Sequence, residues 1–210
     1  MIMHDKYIII GCCARSGSAY MNHVLRKTGL LVGHERPDVD GVVGWQQLIS
    51  TDTIRCKAEE MAAGREIILL MQVRHPVKVI NSMALLYREE WPTLAGENPI
   101  DYRFRIEAVE GQSGLAKAIS LYYYLNNASE KTDWQKLYKV EEIGREWASI
   151  ANLIGITGTL LPEVPTSTNT RKGKWDYPDY GWEDIYAENP LFAEHIERMA
   201  AKWGYEKYGY

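Results

Sequence analysis

Apolar residues along the chain fall into two alternating rhythms. Tyr7-Ile8-Ile9-Ile10 and Ile67-Ile68-Leu69-Leu70-Met71-Gln72-Val73 are near-continuous apolar runs of strand length, the pattern of parallel strands buried on both faces. After the first run, Tyr20, Met21, Val24 and Leu25 recur at helical spacing up to Gly29, a natural helix stop. The spacing predicts a strand over about 6 to 12, a helix ending before Gly29, and a short strand at Leu30-Leu31-Val32. A loop rich in Pro, Asp and Gly follows over 34 to 46, then a helix around 52 to 63. The strand at 67 to 73 leads into a helix opened by Pro76 and running to about Arg88, proline being suited to the first helical position. Residues 89 to 101 read as loop and 102 to 110 are ambiguous. The remainder predicts helix over 114 to 131, strand over 135 to 140, helix over 143 to 153, and an irregular stretch over 157 to 181. Helices over 182 to 188 and 190 to 203 close the chain. Strands alternating with helices predict an α/β fold with three layers and a central, mostly parallel sheet.

Composition narrows what such a fold is for. With 210 residues, 46% of them apolar, and seven tryptophans, one substantial core is expected, hence a single domain over 1 to 210. A formal net charge of −4 argues against a nucleic-acid partner, which requires a basic face. Cys12, Cys13 and Cys56 have neither a disulfide pattern nor metal-ligand spacing, as expected of a reducing compartment. No signal peptide and no run of roughly 20 apolar residues is present, so a cytoplasmic protein that does not enter a membrane is the expectation.

The chemistry concentrates where strands end. The first strand leaves through GCCARSGSAY, residues 11 to 20, and a glycine-punctuated turn at a helix N-terminus is an anion site. The strand at 67 to 73 ends in Arg74-His75-Pro76, with Ser82 on the next helix. Ligands of parallel sheets sit outside the carboxyl ends of the strands, so two anion sites on one edge point to a nucleotide phosphorylated at two places. A nucleoside-triphosphate loop, GxxxxGK[ST], is not matched: Gly11 and Gly17 are six apart and Ser18 stands in the lysine position. The cysteine-x5-arginine phosphatase loop fails as well, since Ser18 and Ala19 occupy the arginine positions, and GxGxxG is absent.

Ala14-Arg15-Ser16-Gly17-Ser18-Ala19-Tyr20 resembles the P-[KR]-S-G-T-[TS]-W loop of the sulfotransferases that use 3′-phosphoadenosine 5′-phosphosulfate (PAPS). Ala14 stands for the proline, Ala19 for the second hydroxyl residue and Tyr20 for the tryptophan. Arg74 with Ser82, eight residues on, is similar to that family's 3′-phosphate element. Leu137-Tyr138-Lys139-Val140-Glu141 resembles the strand that ends near the adenine, Arg171-Lys172-Gly173 the late loop over the 3′-phosphate, and 199 to 205 the terminal helix. The resemblance implies the P-loop-containing sulfotransferase fold and transfer of a sulfuryl group to a hydroxyl or amine. It further implies that Arg15, Ser16, Gly17, Ser18, Ala19 and Tyr20 hold the 5′-phosphosulfate, with Arg15 steadying the leaving phosphate. Arg74, Ser82, Tyr138, Arg171, Lys172 and Gly173 hold the rest of the cofactor, and no metal is required. It points to the region after the second strand for a base, where Glu35 is favoured over His34. The unmatched stretches 89 to 113 and 157 to 170 are expected to face the acceptor, a small molecule or an exposed carbohydrate or alcohol. Two other readings remain at this stage: a kinase-like phosphotransferase using ATP and magnesium, and a nucleotide-binding module without catalysis. His23, His75 and His195 are expected to be structural, and Trp45 and Trp175 are candidate walls of an acceptor pocket.

Overall fold

The computed structural model describes residues 4–44, 60–86, 113–164 and 179–206. They form two compact units: Met1–Arg74 with Ala128–Lys172, and His75–Asn127 with Gly173–Tyr210. The expected Cys56, Trp45, Trp175 and Arg171-Lys172-Gly173, with the stretches at 89–101 and 102–110, lie outside the described residues.

The first unit is built on a five-stranded parallel sheet in the order β2-β3-β1-β4-β5, with β1 Lys6–Cys12, β2 Val32–His34, β3 Gly41–Gly44, β4 Glu66–Val73 and β5 Lys136–Lys139. The alternation of side chains along a strand divides the apolar runs between two faces. Ile8, Ile10 and Cys12 join Ile68, Leu70, Val32, Val43 and Tyr138 in one cluster, while Tyr7 and Ile9 join Val42, Ile67, Leu69 and Ala62 in the other. Helix α1 (Ser18–Lys27) covers the first face with Met21, Val24 and Leu25. A later helix of this unit, Ile143–Leu153, adds Trp147, Ile150 and Ala151 to the same cluster. Each fully buried aliphatic side chain contributes about 1.5–3 kcal/mol. The α/β class with a parallel central sheet is therefore as expected from the runs.

Two elements differ from the expectation. The second strand begins at Val32 rather than Leu30, because Leu31 is tied to the buried Asp40: its N–H donates to Oδ2 at 2.7 Å and its carbonyl accepts the Asp40 N–H at 2.9 Å. β3 lies inside the stretch expected to be loop. Its opening glycine, Gly41, has φ 149° and is so close to β1 that a Cβ would sit 2.0 Å from the Ile8 carbonyl oxygen. That glycine suggests a turn in sequence and is needed for strand packing in space. Only residues 35 to 40 link β2 to β3, far fewer than a helical crossover takes. The link is held by an Asp38/Gly41 bridge and by Arg26 Nη1 on Asp38 Oδ2 at 3.2 Å.

The second unit carries α2 (Pro76–Leu86), most of α3 (Gly114–Ser129), α5 (Trp182–Glu188) and α6 (Pro190–Lys202), where α4 is the Ile143–Leu153 helix of the first unit. Asn189 caps α6 by accepting the Phe192 N–H at 3.1 Å, with Pro190 at the first turn. Among the described residues, no helix is long and apolar enough to cross a membrane.

Candidate functional site

Residues 13 to 17 form a tight turn between β1 and α1, closed by the Ser16 N–H on the Cys13 carbonyl at 3.1 Å. Arg15 takes φ 67° and Gly17 φ 91°, ψ 23°. Gly17 meets two demands. Its backbone is left-handed, which disfavours any Cβ, and a Cβ there would press on Val140 Cγ2 at 3.1 Å and Gln72 Nε2 at 3.4 Å. Gly17 offers no side-chain cap, and the first helical hydrogen bond of α1 comes only from Met21 N–H to the Gly17 carbonyl. Among the described residues, the N–H groups of Ser18, Ala19 and Tyr20 therefore make no backbone hydrogen bond at the positive end of the helix. Ser16 is 1% exposed, yet its hydroxyl has no hydrogen-bond partner among the described residues. An orphaned buried hydroxyl beside three unpaired amides is the donor set that an oxyanion takes.

The turn is supported from the sheet. Cys12, Gln72 and Tyr138 are register partners across β1, β4 and β5. The Tyr138 hydroxyl donates to Gln72 Oε1 at 2.8 Å, and Gln72 Nε2 donates to the Ser16 carbonyl at 2.6 Å. Arg74, at the end of β4, donates from Nη1 to the Arg15 carbonyl at 3.0 Å. Arg74 is thus brought to the turn between β1 and α1 itself. Tyr138 is buried beneath the loop, and burial, with the Cys12 thiol beside it, pushes its hydroxyl pKa well above 10. Tyr20 is half-buried against the core, which raises its hydroxyl pKa. Gln72 is the functional side chain that sequence reasoning missed. The signal was present as one amide in an otherwise apolar strand run, since a buried amide needs partners.

The end of β2 reaches the same place. His34 Nε2 lies 2.9 Å from Ser18 Oγ and 3.9 Å from Glu35 Oε1. Glu35 has φ 60°, and its N–H continues the ladder to the Val43 carbonyl at 2.8 Å. Gly44 makes room for it, because a Cβ there would stand 3.0 Å from Glu35 Cα. Burial pushes the Cys12 thiol up to about 12, the Glu35 carboxylate adds to the rise, and a hydrogen bond with Ser18 offsets part of it. The structure therefore brings Arg15, Ser16, Gly17, Ser18, Ala19, Tyr20, His34, Glu35, Arg74 and, from below, Tyr138 to one end of the sheet. Ser82 sits half-buried on α2 in the other unit.

The remaining histidines have local partners. His23 is exposed with Nδ1 2.8 Å from the Ala19 carbonyl, His195 accepts from Arg198 at 2.9 Å, and His75 is buried with its ring edge-on to Tyr205 at 5.3 Å. Of the tyrosine run on α3, Tyr122 is buried, and Tyr123 stacks on Phe192 with ring centroids 4.4 Å apart.

No family model matches the chain, and no curated protein matches it. A solved structure described as "Sulfotransferase Domain from the Curacin Biosynthetic Pathway" aligns over 96% of this chain and 98% of its own, with 12% sequence identity and a TM-score of 0.43.

Proposed function

We propose that the chain is a sulfotransferase that takes a sulfuryl group from PAPS and delivers it to a hydroxyl or amine of a small or exposed acceptor, with carbohydrates and alcohols as the first candidates. One observation carries this reading. The turn between β1 and α1 gathers three unpaired amides and the orphaned Ser16 hydroxyl, with Arg74 bonded to the turn's own backbone. The residue pattern in that turn and the Arg74/Ser82 spacing supply the chemical identity of the anion.

When bound, the donor supplies a sulfuryl group attached to a phosphate. In this proposal Arg15 and the amides of Ser18, Ala19 and Tyr20 meet the charge that develops on the departing phosphate oxygen. Fixed donors of this kind are worth several kcal/mol because they need no reorganisation at the moment of reaction. Ser16 and Ser18 add hydroxyl donors, and Tyr20 offers an aromatic face to the adenine. Arg74 and Ser82 take the 3′-phosphate, joined by Arg171, Lys172 and Gly173, while Tyr138 holds the loop through Gln72. Glu35 accepts the proton of the acceptor as its oxygen or nitrogen bonds to sulfur and the sulfur–phosphate oxygen bond breaks. His34 stands beside it.

The experiment is thermal stabilisation by adenosine 3′,5′-bisphosphate, set beside ATP with magnesium and beside AMP. At a hundredfold excess over Kd a ligand adds about 2.7 kcal/mol. The expected result is a large shift with the bisphosphate alone, reduced in Arg74→Ala. A shift with ATP and magnesium alone would transfer the chain to the phosphotransferase reading. Binding of the bisphosphate without turnover of any acceptor class would leave a nucleotide-binding module.

A further inference from the structure

We propose that His34 is the positioning residue for Ser18: by presenting Nε2–H to Ser18 Oγ, it turns the single hydroxyl proton of Ser18 onto the anion held at the start of α1. The inference rests on the sulfotransferase reading above and assigns a role within it. Ser18 Oγ has one proton and two lone pairs. His34 Nε2 lies within hydrogen-bonding distance of it, at 2.9 Å.

The outcome then depends on the imidazole. With a bare Nε2, the Ser18 proton is spent on His34 and the anion loses a donor. With a protonated Nε2, His34 donates into one lone pair of Oγ and the Ser18 proton is free for the anion. The Glu35 carboxylate, 3.9 Å from Nε2, favours a proton on that nitrogen. Among the described residues, β3 brings no charge to the ring because it is Gly41–Gly44, and Arg26 of α1 is occupied by the Val32 carbonyl and Asp38. With Nε2 committed to Ser18, the acceptor's proton falls to Glu35.

The test is the nitrogen NMR spectrum of the His34 ring in the folded chain, alone and saturated with adenosine 3′,5′-bisphosphate. A protonated Nε2 in the complex is expected. A bare Nε2 in the saturated complex would overturn the inference and leave the sulfotransferase reading standing, whereas no binding of the bisphosphate at all would overturn both. Variants give a second, independent readout. His34→Ala should weaken bisphosphate binding about 10-fold, and His34→Gln, whose amide again offers an N–H, should restore most of it. In a Ser18→Ala background, His34→Ala should cost nothing further. A loss that persists in that background would show that His34 acts by another route.

Discussion

Ser16 is the residue at which stability and binding part company. A buried hydroxyl without a partner costs the fold about 1–3 kcal/mol and is retained where a ligand will satisfy it. Ser16→Ala should therefore leave the melting temperature unchanged or higher while weakening bisphosphate binding about 10-fold. Paired thermal and calorimetric titrations check this, and a fall of several degrees would mean that the hydroxyl has a partner within the fold. Arg15, Ser16 and Gly17 were legible in the sequence because a buried strand that exits through glycine into a helix permits few geometries. The link between Ser18 and His34 was not, since residues 16 apart in sequence meet only once β2 and α1 are packed against the same sheet.

At the scale of elements, the turn between β1 and α1 inherits its shape from a row of side chains across three strands. Tyr138→Phe removes the donor to Gln72 Oε1 and leaves a buried amide oxygen short of a partner. The expected cost is about 1–3 kcal/mol, read as a lower urea midpoint, together with weaker bisphosphate binding as the Gln72 contact to the Ser16 carbonyl loosens. Loss of stability with affinity intact would show that the turn holds its shape alone. β1, β4, β5 and the described helices were legible because period and length agree with the final burial. β3 was not: Gly41-Val42-Val43-Gly44 has the composition of a turn, and the demand for glycine comes from the carbonyl oxygen of Ile8 on another strand and from Glu35. Local rules cannot supply a steric requirement imposed by a distant backbone.

Over the described residues, several buried or half-buried acids resist ionisation in the same direction. The Cys12 thiol is pushed from 9.0 up to about 12, and the Tyr7, Tyr20 and Tyr138 hydroxyls are raised above 10. Folded pKa values above the unfolded ones mean that the native state holds these protons more tightly. Their contribution is complete below about pH 9 and is lost as pH climbs towards the folded values. The urea midpoint should hold near about pH 8 and fall progressively to about pH 11, with the first part of that fall diminished in Cys12→Ala. A flat profile would contradict the burial of these groups. At this scale the sequence announced the class of fold through its alternating strands and helices. It did not announce the division into two compact units, in which the turn at residues 13 to 17 and Arg74 belong to one and Ser82 to the other.

With Glu35 as the proposed base, its left-handed backbone sets selection for durability against selection for catalysis. A residue with a Cβ held there costs on the order of 1 kcal/mol, and glycine escapes most of that cost. Glu35→Gly should raise the melting temperature while abolishing turnover, as parallel melting and activity assays would record. A library sorted only for heat resistance would drift away from the acid at this position, and under the proposed function it would lose turnover as it gained durability.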